Sequence, residues 1–424
     1  MSERASREYS GREMPALPNG VRVLFDPMPY VHSVSVSVSI GAGSANEDAQ
    51  QAGVSHFLEH LFFKGTSARS AHKLMEEIEG RGGHLNAYTT RDYMCLYVRV
   101  LEEHCAKAIE ILADIIKNSQ FPDFEKERNV VLEEIASAAD VPEEFAHDLL
   151  LLHLWPDHPL GRPVMGSCET IAALQLEDAR RHYERWCRPR NMIFSIAGNF
   201  SESAVYDQVY RELGGLPDGS APARCGPPAF RQGLCFTQRD IGQSHLCMGF
   251  PGPSMTDEGR YVGEMLASIL GGGSTSRLFE RIREQEGLAY SIYAFRSGYH
   301  VSGHMGVYAA VAPENLGRSL ELVCEEIRRL RETPVSEEEI LLNREQIKGA
   351  ILLALESSSN RASHMAKSVI YHDRILSPEE IVAGIETVTA EDILQFARNT
   401  FTADQTIAVV LGPQEGFSRV SISL

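Results

Sequence analysis

The chain has 424 residues, and its 58 Asp and Glu against 40 Lys and Arg give a formal charge of −18. That balance argues against nucleic acid and anionic membrane surfaces as partners, because both need basic patches. No window approaches 18 uncharged apolar residues, so no membrane-spanning helix is expected. With 43% hydrophobic and 23% charged residues the composition is that of a globular protein, and the length calls for two domains. The eight cysteines are scattered without a CxxC pair and read as reduced thiols, which fits a cytoplasmic protein. The tail before Gly20 lacks the apolar run of a signal peptide, and Glu3, Glu8 and Glu13 argue against a mitochondrial transit peptide.

Asn19-Gly20 is a turn signal, and Val21 to Phe25 is short and β-like. Ser33-Val34-Ser35-Val36-Ser37-Val38-Ser39-Ile40 alternates with a period of two and predicts a half-buried strand. After Gly41-Ala42-Gly43-Ser44 comes the run Gly53 to Thr66, which contains His56-Phe57-Leu58-Glu59-His60. On a helix His56 and His60 lie one turn apart on one face, so both imidazoles can reach one metal ion, and Zn²⁺ suits them. Glu59, one residue before the second histidine, stands where a general base would take a proton from a metal-bound water. The order H-x-x-E-H reverses the zincin HExxH arrangement. The flanking Val54, Phe57, Leu58, Leu61, Phe62 and Phe63 are too apolar for a solvated face, so the three polar residues would be drawn into a largely buried setting. A buried Glu beside two histidines is unfavourable unless paired, and a divalent cation is the simplest partner.

Ser70 predicts an N-cap for a helix to Glu79, which Gly80-Arg81-Gly82-Gly83 ends. Strands are expected at 84–89 and 93–100, followed by helices at 102–118, 122–139, 142–154 and 169–186. A strand at 192–197 and a helix at 202–213 close the half. The segment 214–228 holds four glycines and four prolines and reads as a linker. The second half repeats the order. Strands are expected near 233–240 and 244–250, helices at 258–270 and 275–286, and strands at 288–296 and 302–311. Five helices then fill 313–399, and a last strand runs 406–411. This is an α+β chain of two similar domains, 1–213 and 229–424, each a mostly antiparallel sheet packed with helices. The metal motif falls only in the first.

Two histidines do not hold a zinc, so a third protein ligand is required. The helix at 122–139 offers Glu127, Glu133 and Glu134, and spacing alone leaves the choice open among them. The run Gly53 to Thr66, the stretch Gly82-Gly83 to Tyr88-Thr89 and the Glu127 to Ile135 helix together resemble the pitrilysin-type zinc metallopeptidases. The nearest branch is similar to the mitochondrial processing peptidases and their bacterial relatives. The resemblance covers nearly the whole chain and implies two domains facing each other across a cleft.

It further implies that His56, His60 and Glu134 bind Zn²⁺, that Glu59 is the general base, and that Glu127 is the acid supporting the site. Arg283 and Tyr290, seven residues apart, resemble the family's C-terminal Arg and Tyr pair, which donates to substrate and to the developing oxyanion. Asn86 and Ala87 would sit at the centre of an edge strand to which a peptide adds. Gly271-Gly272-Gly273 is either a substrate-contacting loop or a plain helix terminus. The expected activity is an endopeptidase acting on peptides or unfolded segments. The expected assembly is a homodimer, or a pair with an inactive homologue. A presequence-processing subunit and a non-catalytic scaffold or peptide-holding module are the alternatives, and the full set of site residues favours the peptide-degrading enzyme.

Overall fold

Strand β2 (Ser33–Ile40) has the predicted bounds, yet it is buried on both faces, not one. Val34, Val36, Val38 and Ile40 point into the main apolar core of the first compact unit. The serines are buried because a helix at Ser358–His372 covers the opposite face, with Ser35 Oγ 2.9 Å from the hydroxyls of both Ser358 and Ser359. Ser195 Oγ likewise donates to the Ala362 carbonyl at 2.8 Å. Alternation correctly separated the two faces, but polarity did not mean solvent. Ser33 and Ser35 meet hydroxyls of the covering helix, and Ser37 donates to the Ser195 carbonyl of the adjoining strand at 3.4 Å.

A computed structural model of the chain describes residues 14–219, 223, 225–419 and 422. The tail 1–13, with Glu3, Glu8 and Glu13, and positions 220–222 and 224 of the expected linker lie outside the described residues. Around β2 stand β1 (Arg22–Pro27), β3 (His84–Thr89), β4 (Met94–Leu101) and β5 (Met192–Gly198), in the order β1-β5-β2-β4-β3. A second sheet holds β6 (Gly233–Gln238), β7 (Ser244–Gly252), β8 (Ala289–Gly298), β9 (Gly303–Val311) and β10 (Ile407–Gly412), in the order β6-β10-β7-β9-β8. Both sheets therefore place their strands first, fifth, second, fourth, third. In both, the first and fifth strands pair in parallel and every other pair is antiparallel. The expected duplication of an α+β unit is present at the level of topology.

The compact units do not follow the halves of the chain. Among the described residues, the first holds those within 14–135, 163–225 and 352–377, and the second those within 136–162, 226–351 and 378–422. The expected boundaries 1–213 and 229–424 thus depart from the structure at two helices. Pro142–Leu154 packs on β7 and β10 of the second sheet, and Ser358–His372 packs on β1, β2 and β5 of the first. The two helices occupy equivalent places in the order of the two copies, so the exchange is reciprocal. Helical periodicity reports which face of a helix is apolar and not which sheet it meets.

Two other expectations change locally. The helix expected over 169–186 is two, Cys168–Ala173 and Leu176–Trp186, because Gln175 starts a new capping box with its N–H bonded to Asp178 at 2.9 Å. The helix expected at 275–286 is π-helical over Phe279–Gln285. The eight cysteines are all free. Among the described residues no helix is long and apolar enough to cross a membrane.

Gly271 ends the helix Arg260–Gly271 and lies against β8, where a Cβ would come within 2.1 Å of the Ala294 nitrogen. Its role is close packing, whereas Gly272 and Gly273 are exposed. Gly271→Ala is therefore expected to cost about 1–3 kcal/mol in urea unfolding through forced displacement of helix from strand. Gly273→Ala, which meets nothing within 4 Å, should stay close to the parent.

Candidate metal centre

The helix Val54–Phe62 begins at Gly53, which sits in the left-handed region at φ +95°, where a Cβ would also come within 2.4 Å of the Met165 carbonyl. Its free N–H groups are met by one buried carboxylate. Glu47 accepts from the Gly53 and Ser55 amides at 2.7 Å each, placing negative charge at the positive end of the helix. Val54, Phe57, Leu58, Leu61 and Phe62 are fully buried, so the helix has one orientation open to it. Phe57 packs on Phe124, ring centroids 4.8 Å apart, and this fixes the start of the helix Phe124–Ala139 beside it.

That contact brings Glu134 opposite the two histidines. Glu134 Oε2 lies 3.2 Å from His60 Nε2, and Oε1 lies 3.7 Å from His56 Nε2. The two imidazole rings are 4.8 Å apart. One donor atom from each of His56, His60 and Glu134 falls within 4.8 Å of the others, the spacing of three ligands around one ion. Burial, and then the neighbouring His60, pushes the His56 imidazole down to about 4, so it is neutral at physiological pH, as a metal ligand must be. Two nitrogens and one carboxylate oxygen fit Zn²⁺ and leave a fourth position for water. Glu133, the third glutamate left open by spacing, is exposed.

Glu59 and Glu127 flank this group differently. Burial raises the Glu59 carboxyl above its usual range and the Glu134 charge adds to the shift, while the Thr89 hydrogen bond and His60 oppose it. Thr89 Oγ1 donates to Glu59 Oε2 at 2.6 Å, from the end of edge strand β3. Glu127 is 2% exposed, with its Oε2 3.6 Å from His60 Nδ1 and 3.0 Å from Lys64 Nζ. Sequence reasoning missed Thr89 and Lys64. Lys64 follows His60 at the i+4 spacing that marks one helix face, and Thr89 shares the strand parity of Leu85 and Ala87. Either pattern could have pointed to them.

On β3, Ala87 is buried and Asn86 is exposed, with the Asn86 side-chain oxygen accepting from the Ala87 amide at 2.8 Å. Arg283 and Tyr290 belong to the second unit, where they meet each other. Arg283 Nη1 donates to the Tyr290 carbonyl at 2.7 Å, and its guanidinium lies over the Tyr290 and Phe279 rings. Tyr290 is 80% exposed, which is unusual for so large a ring.

Residues 22–167 match the family described as insulinase (peptidase family M16), and residues 173–347 match the peptidase M16 inactive domain. The chain belongs to peptidase family M16. This agrees with the pitrilysin-type resemblance carried by the motifs. A Bacillus subtilis protein named an uncharacterized zinc protease is 35% identical over 394 residues, covering 92% of this chain and 96% of that protein. Among solved structures, a protease from Helicobacter pylori superposes with a TM-score of 0.88 at 21% identity, over 96% of this chain and all of that one. A structure described as the peptidase M16 inactive domain from Pseudomonas fluorescens gives 0.88 at 19% identity, over 97% and 98% of the two chains. At these identities the two structures speak for the fold.

The M16 metal helix also rests on a buried imidazole. His182 Nε2 lies 3.0 Å from Ser55 Oγ, and burial, with a smaller part from Arg185, pushes its pKa down to about 4. An unfolded histidine titrates near 6.5. Between those values the unfolded chain binds a proton that the folded chain does not, so stability falls as pH falls. Zinc-free protein should lose about 2 kcal/mol from His182 between pH 7 and pH 5. Urea midpoints at the two pH values should converge in His182→Gln relative to the parent.

Proposed function

We propose that this M16 chain is a zinc-dependent endopeptidase that cuts peptides or unfolded segments. The observation that carries the reading is the convergence of His56, His60 and Glu134 beside the half-buried carboxyl of Glu59. Zinc held by these three donors would supply Lewis acidity toward a water and the peptide carbonyl. The chain's own residues do the rest. Glu59 takes the proton of the attacking water and passes it to the leaving amine, a task suited to a carboxyl whose proton affinity burial has raised. Thr89 occupies one oxygen of Glu59 and leaves the other to handle the proton. Glu127, held by Lys64, fixes the orientation of His60.

The peptide would lie as an added strand along the open edge of β3, past Asn86 and Ala87, with its main chain paired to the strand. Tyr290 and Arg283 would donate to the oxyanion and to a substrate carbonyl. The exposure of Tyr290 and the Arg283 bond that orients its backbone support this role. A homodimer is the assembly we propose for the active form. Names of relatives in this family include zinc proteases and an inactive domain. A scaffold role needs no ligand set, whereas this chain keeps all three donors and the base, which favours the enzyme.

Metal analysis and cleavage of a fluorogenic peptide library test the reading. The parent should hold about one zinc per chain and cleave. Glu59→Gln should keep the zinc and lose at least about 10²-fold in kcat, and Glu134→Gln should lose the zinc. No zinc in the parent, or full activity in Glu59→Gln, would sink the assignment. Thr89→Val should lower kcat about tenfold with KM little changed, because the base loses its orientation and the strand edge does not.

A further inference from the structure

On the face of the first sheet turned away from the metal helix, polar residues of β2, β4 and β3 align in rows beside an apolar cluster that holds Leu24, Cys95, Ile193 and Ala197. Ser35 on β2 is opposite Arg99 on β4, and Arg99 is opposite His84 on β3. In the next row on the same face, Ser37 is opposite Tyr97 and Tyr97 is opposite Asn86. A cavity of about 410 Å³ opens here, closed on one side by Asn360 and Ser363 of the helix Ser358–His372. No Asp or Glu lines it, although the chain carries 58 of them. Among the described residues, neither Arg99 nor His84 pairs with a carboxylate.

A guanidinium and an imidazole set directly opposite each other gain nothing from one another. Both are exposed and both present N–H donors to one space. The Tyr97 hydroxyl adds a further donor, and the first turn of the covering helix contributes its positive end. An anion of carboxylate size is the ligand this lining complements.

We propose that the cavity is a subsite for an acidic side chain of the bound peptide. The proposal rests on reading β3 as the edge to which substrate adds. In an added strand, alternate side chains point to opposite faces of the sheet. Those beside Leu85, Ala87 and Thr89 face the metal helix, and those beside His84, Asn86 and Tyr88 face the cavity. Thr89 marks the position of the base Glu59. Asn86 and His84 precede Thr89 by three and five residues, about 10–17 Å along the strand. The acidic residue would therefore lie three to five positions from the bond that is cut. The general negative charge disfavours acidic peptides everywhere else, which makes this a local preference.

Two peptide series test it, one with a single Glu walked along an otherwise neutral sequence and one with Gln at the same places. In the parent, kcat/KM for Glu over Gln should reach about tenfold at a position three to five residues from the cut. That ratio should fall to about one in Arg99→Gln and be largely kept in Arg99→Lys, whichever way the absolute rates move. A parent that cuts both series with a ratio near one at every position overturns the subsite and leaves the peptidase standing. So does an Arg99→Gln variant that keeps the parent's ratio. Zinc-loaded parent that cuts neither series overturns the strand-addition reading, and the subsite with it.

Discussion

Everything at the metal centre depends on holding carboxylates and imidazoles together on a helix that is otherwise apolar and buried. Glu127 is almost fully enclosed, Glu59 is pushed toward its neutral form, and His56 is kept from protonating. None of these states is favourable alone, since each takes a polar group out of water. They are tolerable because the helix cannot rotate to release them. Five fully buried side chains set its roll, the Glu47 carboxylate and left-handed Gly53 set its start, and Phe57 locks it to the helix that carries Glu134. A divalent cation held by His56, His60 and Glu134 would offset part of that cost.

The second copy shows what the same slot looks like without that demand. The helix Arg260–Gly271 follows the second strand of its sheet and packs against the third, as Val54–Phe62 does in the first. It carries no histidine. Where Glu134 comes from the helix Phe124–Ala139, the corresponding helix Glu337–Ala354 offers Asn343, which is buried and accepts from Ser268 Oγ at 2.7 Å. A neutral hydrogen bond spans the gap, each partner is satisfied, and no ion is called for. The duplicated framework is thus indifferent to chemistry, and a handful of substituents decides it.

Much of this was legible in residues. The alternation of Ser33–Ile40, the Ser70 cap and the helix at 142–154 have the bounds read from sequence, because propensity, capping and periodicity agree there. His56, His60 and Glu59 were legible from spacing on one helix. Glu134 was not distinguishable from Glu127 and Glu133 by spacing, since only the packing of the helix Phe124–Ala139 beside Val54–Phe62 determines which carboxylate meets both histidines. The buried serines of β2, the division of the helix at Gln175 and the exchange of two helices were hidden for a related reason. Each depends on a partner more than a hundred residues away or on a local cap that competes with a longer helix.

The exchange has the broadest consequence for how the chain makes a stable fold. Each sheet has an apolar face covered by helices of its own copy and a second face covered by one helix from the other half of the chain. The covering helices suit the faces they meet. Ser358–His372 brings hydroxyls to Ser35 of β2 and a backbone carbonyl to Ser195 of β5. Pro142–Leu154 brings His147 to within 2.8 Å of the Tyr293 hydroxyl, which in turn donates to Glu143 at 2.6 Å. Swapping either helix for its counterpart would strand buried donors and acceptors, at a cost of about 1–3 kcal/mol for each group left unpaired. The polar pairing therefore specifies which helix goes where, a discrimination that apolar packing alone would make poorly. It also ties the first sheet, and with it the edge strand beside the metal centre, to residues 352–377. The half of the sequence that carries His56, His60 and Glu134 does not contain all of the compact unit they belong to.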